Sequence, residues 1–306
     1  MFDSAGKSRP DAPSHVLRCV RQVLLLLSKV EMDTTAARKK AVLDSYVEVD
    51  EGLVLPSPEL LQSFRGQVRR DLDRFLADVE TSLFNDDWTP GHSSGALATG
   101  ESYNTRFGFT TWTERLQDVL PWWTDMRMSF RQQRELDVHV LPRDAEPPVK
   151  VALVPKTMKT PRVIAEETPW TMFVQQGLLR LMTDTLEMPR HRALYEGFWW
   201  KDQSPNRRLA REGSVTGNLA TIDLSEASDR VSLPLVAALF GDHKFLWRAV
   251  SASRSERSRL PDGRVINLKK FASMGYALTF PVESMVFYTI GRLASRQCGL
   301  PSATLR

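Results

Sequence analysis

The sequence predicts an α+β fold. Two short hairpin-like strand pairs are set among strongly amphipathic helices. Hydrophobic residues make up 42% and charged residues 25% of the 306 positions, the balance of a chain that folds around a core. The length suits one large domain or two ordinary ones. The net charge of +4 is a mild basic bias, compatible with a polyanionic partner without requiring one.

Taken in order, residues 1–14 are polar, carry Pro10 and Pro13, and read as a loose end. From 15 to 32 the residues Val16, Cys19, Val20, Val23, Leu24 and Leu27 recur at helical spacing and predict a buried helix. The apolar run 23–27 is too short for a bilayer, which needs roughly 20 residues, and too late in the chain for a signal peptide. Over 58–83 a single helix is expected, with Leu60, Leu61, Phe64, Val68, Leu72, Phe75, Leu76 and Val79 on one face. The stretch WTPGHSSGALATG at 88–100 is a loop, either a connector or a backbone that approaches phosphates. Trp112, Trp122 and Trp123 fall in an expected helical stretch as core residues, and 142–148 reads as a linker. Cys19 and Cys298 stand too far apart in sequence to suggest a disulfide framework or a metal-ligand set.

Residues 149–167, VKVALVPKTMKTPRVIAEE, predict a β-hairpin whose tip gathers Lys156, Lys159 and Arg162. Clustered cations of this kind suit a triphosphate, and equally a solvated basic turn. Thr168 and Pro169 then open a helix with Trp170, Phe173, Val174, Leu178 and Leu181 on its buried stripe.

In LATIDLSEASD, residues 219–224 predict a short buried strand with Asp223 near its C-terminal end and Asp229 six positions on. A carboxylate there needs a cationic partner. That partner is a divalent metal on one reading and a salt bridge or helix cap on the other. Ser232 is the expected N-cap of a helix that has Pro234 in its first turn. Residues 254–270, RSERSRLPDGRVINLKK, predict a turn at Asp262-Gly263 and a strand after it, with arginines and Lys269 and Lys270 available to a phosphate backbone. Ser273-Met274-Gly275 forms a flexible turn before a helix capped at Thr279. Its small residues allow a nucleotide sugar or template base to approach, or simply join loop to helix.

The wording and order of these segments carry more than each does alone. VPKTMKTPRVIAEE resembles motif F of leviviral replicases, the RNA-directed RNA polymerases of small positive-strand RNA bacteriophages. ATIDLSEASDRVS is similar to their palm motif A, and KKFASMGYALTFPVES to their motif B. The resemblance implies a right-hand polymerase with fingers, an incomplete palm and no thumb. The N-terminal helical and finger region would occupy 1–148, fingers with the basic hairpin 149–208, and the partial palm 209–306. It implies template-directed RNA synthesis with RNA and nucleoside triphosphates as partners, in the cytoplasm of a bacterial host and without a membrane. Host translation factors are further partners it implies.

Residue by residue, the resemblance implies that Asp223 ligates catalytic magnesium in a two-metal site. Asp229, Ser273 and Gly275 would shape the ribose pocket, and Lys156, Lys159 and Arg162 would contact the triphosphate or template. Glu283 stands where many other polymerases carry asparagine. The family's motif C, a Tyr-Gly-Asp-Asp turn, does not occur in these 306 residues, so the expectation is a truncated chain that is inactive alone. The alternative is a non-catalytic RNA-binding fragment with a polymerase-like fold. A different palm enzyme, such as a reverse transcriptase, fits the wording of motifs A and B less well.

Overall fold

The computed structural model describes residues 3–4, 9, 11–26, 34–102, 105–125, 138–156 and 160–300. Helix α1 (Ser14–Leu25) forms where the periodicity places it, but none of its residues is buried. Val23, Leu24 and Leu26 are 73%, 76% and 76% exposed, against the expectation of a buried helix. Periodicity specifies an apolar face and not the surface that covers it.

Helix α2 (Ala36–Glu51) has no clear sequence signature, because its buried stripe of Leu43, Tyr46 and Asp50 mixes an aromatic and an acid. Thr35 caps it by accepting the Arg38 N–H at 3.4 Å. The single helix expected over 58–83 is two, α3 (Pro58–Asp71) and α4 (Asp73–Phe84). They meet at Leu72, whose φ of −118° departs from helical values. The Leu72 N–H still donates to the Val68 carbonyl at 2.8 Å, so the apolar face runs through a kink.

Trp112 lies in a strand, β1 (Thr111–Thr113), which pairs in parallel with β2 (His139–Leu141). It is core as expected but not helical, and its indole N–H donates to the Leu120 carbonyl at 3.1 Å. The short helices α5 (Glu114–Gln117) and α6 (Trp122–Asp125) follow β1. Trp122 is half-buried, and Trp123 is 55% exposed and not core.

Both expected hairpins form and join into one sheet. β3 (Val149–Val154) and β4 (Arg162–Glu166) are antiparallel, with Val151 opposite Ala165. β5 (Arg257–Arg259) lies parallel to β3, and β6 (Val265–Asn267) closes the order β4-β3-β5-β6. Leu43 and Tyr46 of α2 pack with Val151 and Leu260 on this sheet. Helix α7 (Pro169–Leu186) is buried along most of its length and carries the main core. Thr168 precedes it without capping, its hydroxyl sitting 2.7 Å from that of Thr171. Helices α8 (Arg192–Phe198) and α9 (Ser204–Thr216) lead to residues 219–224.

That segment is not a strand. It has no regular structure, and Leu219, Ile222 and Leu224 are 38%, 81% and 48% exposed. A strand exists through its ladder partners, and among the described residues none runs beside it. A 3₁₀ turn at Ser228–Arg230 follows, then α10 (Leu233–Leu239), α11 (Lys244–Ala252) and the long α12 (Thr279–Gln297). Neither Ser232 nor Thr279 caps with its side chain. Thr279 is the first helical residue, and its hydroxyl donates to the Ser273 carbonyl at 2.9 Å.

One hydrophobic core runs from Phe64 to Val286. Among the described residues no helix is long and apolar enough to cross a membrane.

Candidate nucleotide-binding cleft

A cleft of about 750 Å³ opens where the β3–β4 tip, the Ser228–Arg230 turn, the loop before α12 and helix α2 converge. The hairpin brings Lys156 and Arg162 to it, both exposed. The turn brings Asp229, and the loop brings Met274, Gly275 and Ala277. Glu283 reaches in from the first turns of α12, and Ser45 and Tyr46 from α2. Cations thus meet carboxylates across a concave surface assembled from segments more than 200 residues apart.

The loop is set by close contact. Gly275 has φ +126°, and a Cβ there would lie 2.0 Å from the Ala165 carbonyl oxygen. The Ala165 N–H donates to the Met274 carbonyl at 2.7 Å, which locks the loop to β4, the edge strand of the sheet. Behind it, Gln175 accepts the Ala277 N–H at 3.3 Å and donates to the Ser253 carbonyl at 2.8 Å. Glu167 is buried beside it, with the Thr171 and Ser255 hydroxyls donating to Oε2 at 3.2 and 3.1 Å. Burial pushes the Glu167 carboxyl up to about 7, although its hydrogen bonds and the charge of Arg254 pull the other way. Glu283, half-buried, is also held above the usual carboxylate range, first by desolvation and then by the negative charge of Asp229.

Asp229 pairs with Lys270 at 2.9 Å. Lys270 is completely buried, its ammonium 3.5 Å above the Tyr46 ring. Ser273 is buried behind the cleft, its Oγ 2.6 Å from the Tyr46 hydroxyl. Glu226 lines the rim and pairs with Arg230 at 2.9 Å.

The structure therefore gathers Lys156, Arg162, Asp229 and Gly275 at one surface, with Ser273 one layer beneath. Asp223 is exposed and does not itself line the cleft, although its neighbour Leu224 does. Lys159 lies outside the described residues. The basic stretch 254–270 is divided: Arg259, Arg264 and Lys269 are exposed, whereas Arg254 and Lys270 are internal. Arg254 is buried and donates to the carbonyls of Phe271, Lys270 and Leu268 at 2.5, 3.1 and 3.2 Å. Arg264 pairs with Asp44 and Asp262, Lys269 donates to the Glu51 carbonyl at 2.9 Å, and Lys270 belongs to Asp229. Charge in a sequence does not distinguish a solvated face from an internal partner. The 88–100 loop is bound to the fold, with the Gly91 N–H donating to the Phe173 carbonyl at 3.0 Å and Ala98 to that of Glu167 at 2.9 Å. Sequence reasoning missed Tyr46, and the apolar-then-acid pattern of α2 was its only trace.

Among the described residues no three His, Cys, Asp or Glu side chains cluster so as to hold a metal ion.

A cleft with cations on a hairpin opposite carboxylates and a tight glycine loop has the chemistry to accept a phosphorylated ligand, and comparison with known proteins places the chain in a family. The family model described as RNA replicase, beta-chain, matches residues 63–303, and the chain belongs to that family. It is 39% identical over 165 residues to the RNA-directed RNA polymerase subunit beta of Escherichia virus Qbeta, covering 54% of this chain and 26% of that protein. It is 43% identical over 147 residues to the corresponding subunit of Enterobacteria phage SP, covering 47% and 23%. The beta chain of Escherichia phage MS2 is 38% identical over 140 residues, covering 46% and 24%. The matched segments thus span about a quarter of these relatives' length.

Proposed function

We propose that this chain supplies the nucleotide- and template-handling part of an RNA-directed RNA polymerase that copies a phage RNA genome in a bacterial cytoplasm. The observation that carries this reading is the cleft itself. Residues of the three segments that resemble motifs F, A and B, spread over more than a hundred positions, meet at one surface of about 750 Å³. That volume lies within the range of small-molecule sites. Lys156 and Arg162 neutralise the triphosphate, and Asp229 offers a carboxylate to the ribose beside the Met274–Gly275 turn. The β3–β4 hairpin then belongs to fingers, and the 219–230 segment with α12 to a palm.

Magnesium is part of the proposal through Asp223. A two-metal site needs more than one carboxylate cluster, and the described residues supply no complete one. On this reading the chain alone binds nucleotide and RNA but does not polymerise. Host translation factors remain proposed partners for the complete enzyme.

Isothermal titration of the 306-residue chain with ATP and magnesium tests the reading. Binding that weakens in Lys156→Ala and Arg162→Ala supports it. An absence of nucleotide binding, with RNA binding unaffected by either variant, would favour an RNA-binding module.

A further inference from the structure

Beneath the cleft a buried lysine ties the two segments that resemble motifs A and B to each other and to helix α2, which resembles neither. Lys270 is 0% exposed. An ammonium taken out of water is costly unless it is closely paired. Its nitrogen lies 2.9 Å from Asp229 Oδ1 and 3.5 Å from the centre of the Tyr46 ring, a charge pair and a cation–π contact at once. The backbone beside it is pinned as well, since the Lys269 and Lys270 N–H groups donate to the two carboxylate oxygens of Asp50 at 3.0 and 2.9 Å. The Tyr46 hydroxyl is fixed at the far end, 2.6 Å from Ser273 Oγ and 3.1 Å from Ser258 Oγ. Tyr46 and Asp50 stand one turn apart on α2, a helix that precedes the family match at 63–303.

We infer that Lys270 and Tyr46 are positioning residues for ribose recognition: Lys270 holds one oxygen of Asp229 and so aims the other, while Tyr46 fixes both the lysine and the Ser273 hydroxyl. The inference rests on the cleft being a nucleoside triphosphate site. Its physical content is directional. An unpaired aspartate on a short turn samples several rotamers, and each costs the site an acceptor at the sugar. With Oδ1 engaged by a lysine that cannot move, Oδ2 presents a fixed acceptor to a ribose hydroxyl. A 2′-deoxynucleotide has no hydroxyl there, and a site built to bind one discriminates against its absence. Helix α2 thereby becomes a wall of the sugar pocket, although its sequence carries none of the polymerase-like wording.

The test is titration of the intact 306-residue chain with ATP and with 2′-deoxyATP, each with magnesium. The native chain should prefer ATP by roughly tenfold or more, the value of one well-made hydrogen bond to a charged group. Lys270→Met, which keeps volume and removes charge, should lower ATP affinity until the two nucleotides bind within about threefold of each other, leaving 2′-deoxyATP affinity unchanged. Tyr46→Phe, which keeps the ring beneath the ammonium and frees Ser273, should reduce the preference by a smaller factor. In an Asp229→Asn background, Lys270→Met should change the ratio no further, because the pair acts as a unit. Urea unfolding of each variant checks that the fold persists.

A native preference that survives in Lys270→Met and Tyr46→Phe overturns the inference, as does equal loss of both nucleotides, which marks a scaffold role. Should Lys270→Met fail to fold, an unchanged ratio in Tyr46→Phe overturns it. A native chain that binds both nucleotides equally removes ribose recognition but leaves the cleft reading in place. A native chain that binds neither removes both.

Discussion

Replacing Gly275 with alanine tests how the cleft loop is held. A Cβ at Gly275 would lie 2.0 Å from the Ala165 carbonyl oxygen, 3.0 Å from its carbon and 3.2 Å from its nitrogen. All three are backbone atoms of a strand paired to β3, so no flexible side chain can yield. The backbone at φ +126° adds strain of about 2 kcal/mol for a residue with a side chain. Relieving the overlap costs about 2 kcal/mol more, with about 1 kcal/mol for the Ala165–Met274 hydrogen bond if the loop lifts away. The loop can either lift or compress, so the expected loss is about 4 kcal/mol. Gly263→Ala is the control. Gly263 has φ +92° and nothing within 4 Å of its would-be Cβ, so only the backbone term applies there. The gain from a stiffer unfolded chain is the same in both variants and cancels in their difference. Urea unfolding followed by tryptophan fluorescence should show Gly275→Ala less stable than Gly263→Ala by at least ~2 kcal/mol. Equal losses would refute the claim that contact with β4, and not backbone conformation alone, requires glycine at 275.

The other expected outcomes concern charge. In a full-length polymerase carrying this sequence, Asp223→Asn should cost at least ~3 kcal/mol of transition-state stabilisation, and near-normal incorporation would give the carboxylate a purely structural role. Lys156→Ala and Arg162→Ala should each weaken ATP binding roughly tenfold at low salt and less at high salt, since both side chains are exposed and screened. Glu167 should make stability fall as pH rises. Its carboxyl titrates near 7 when folded and near 4.5 when unfolded, so the folded state carries the extra proton between those values. That contribution is complete below about pH 4.5 and is lost by about pH 7, amounting to about 3 kcal/mol. Urea midpoints across this range should decline for the native chain relative to Glu167→Gln, and parallel pH profiles would contradict a desolvation of Glu167 that outweighs its hydrogen bonds.

The sequence by itself determined the local elements whose partners are near in the chain. The β3–β4 hairpin and the β5–β6 pair follow from β-prone runs joined by short turns, and α7 follows from Pro169 and its apolar stripe. The wording around 156–162, 223–229 and 273–283 was enough to indicate the family, which the match over 63–303 shows. Tertiary structure decided what each element faces. Residues 219–224 have strand composition and no ladder partner among the described residues, so they remain irregular. Helix α1 has an apolar face that no described residue buries, while α2, with a weaker pattern, buries Tyr46 at the cleft and Asp50 against the Lys269–Lys270 backbone. Lys270 shows the reason most plainly. Its charge reads from sequence as a contact for phosphate, but an ion pair with Asp229, 41 positions away, makes it internal. Spacing along a chain encodes which face a side chain takes, whereas pairing energy depends on separations of a few ångströms that only the folded chain sets.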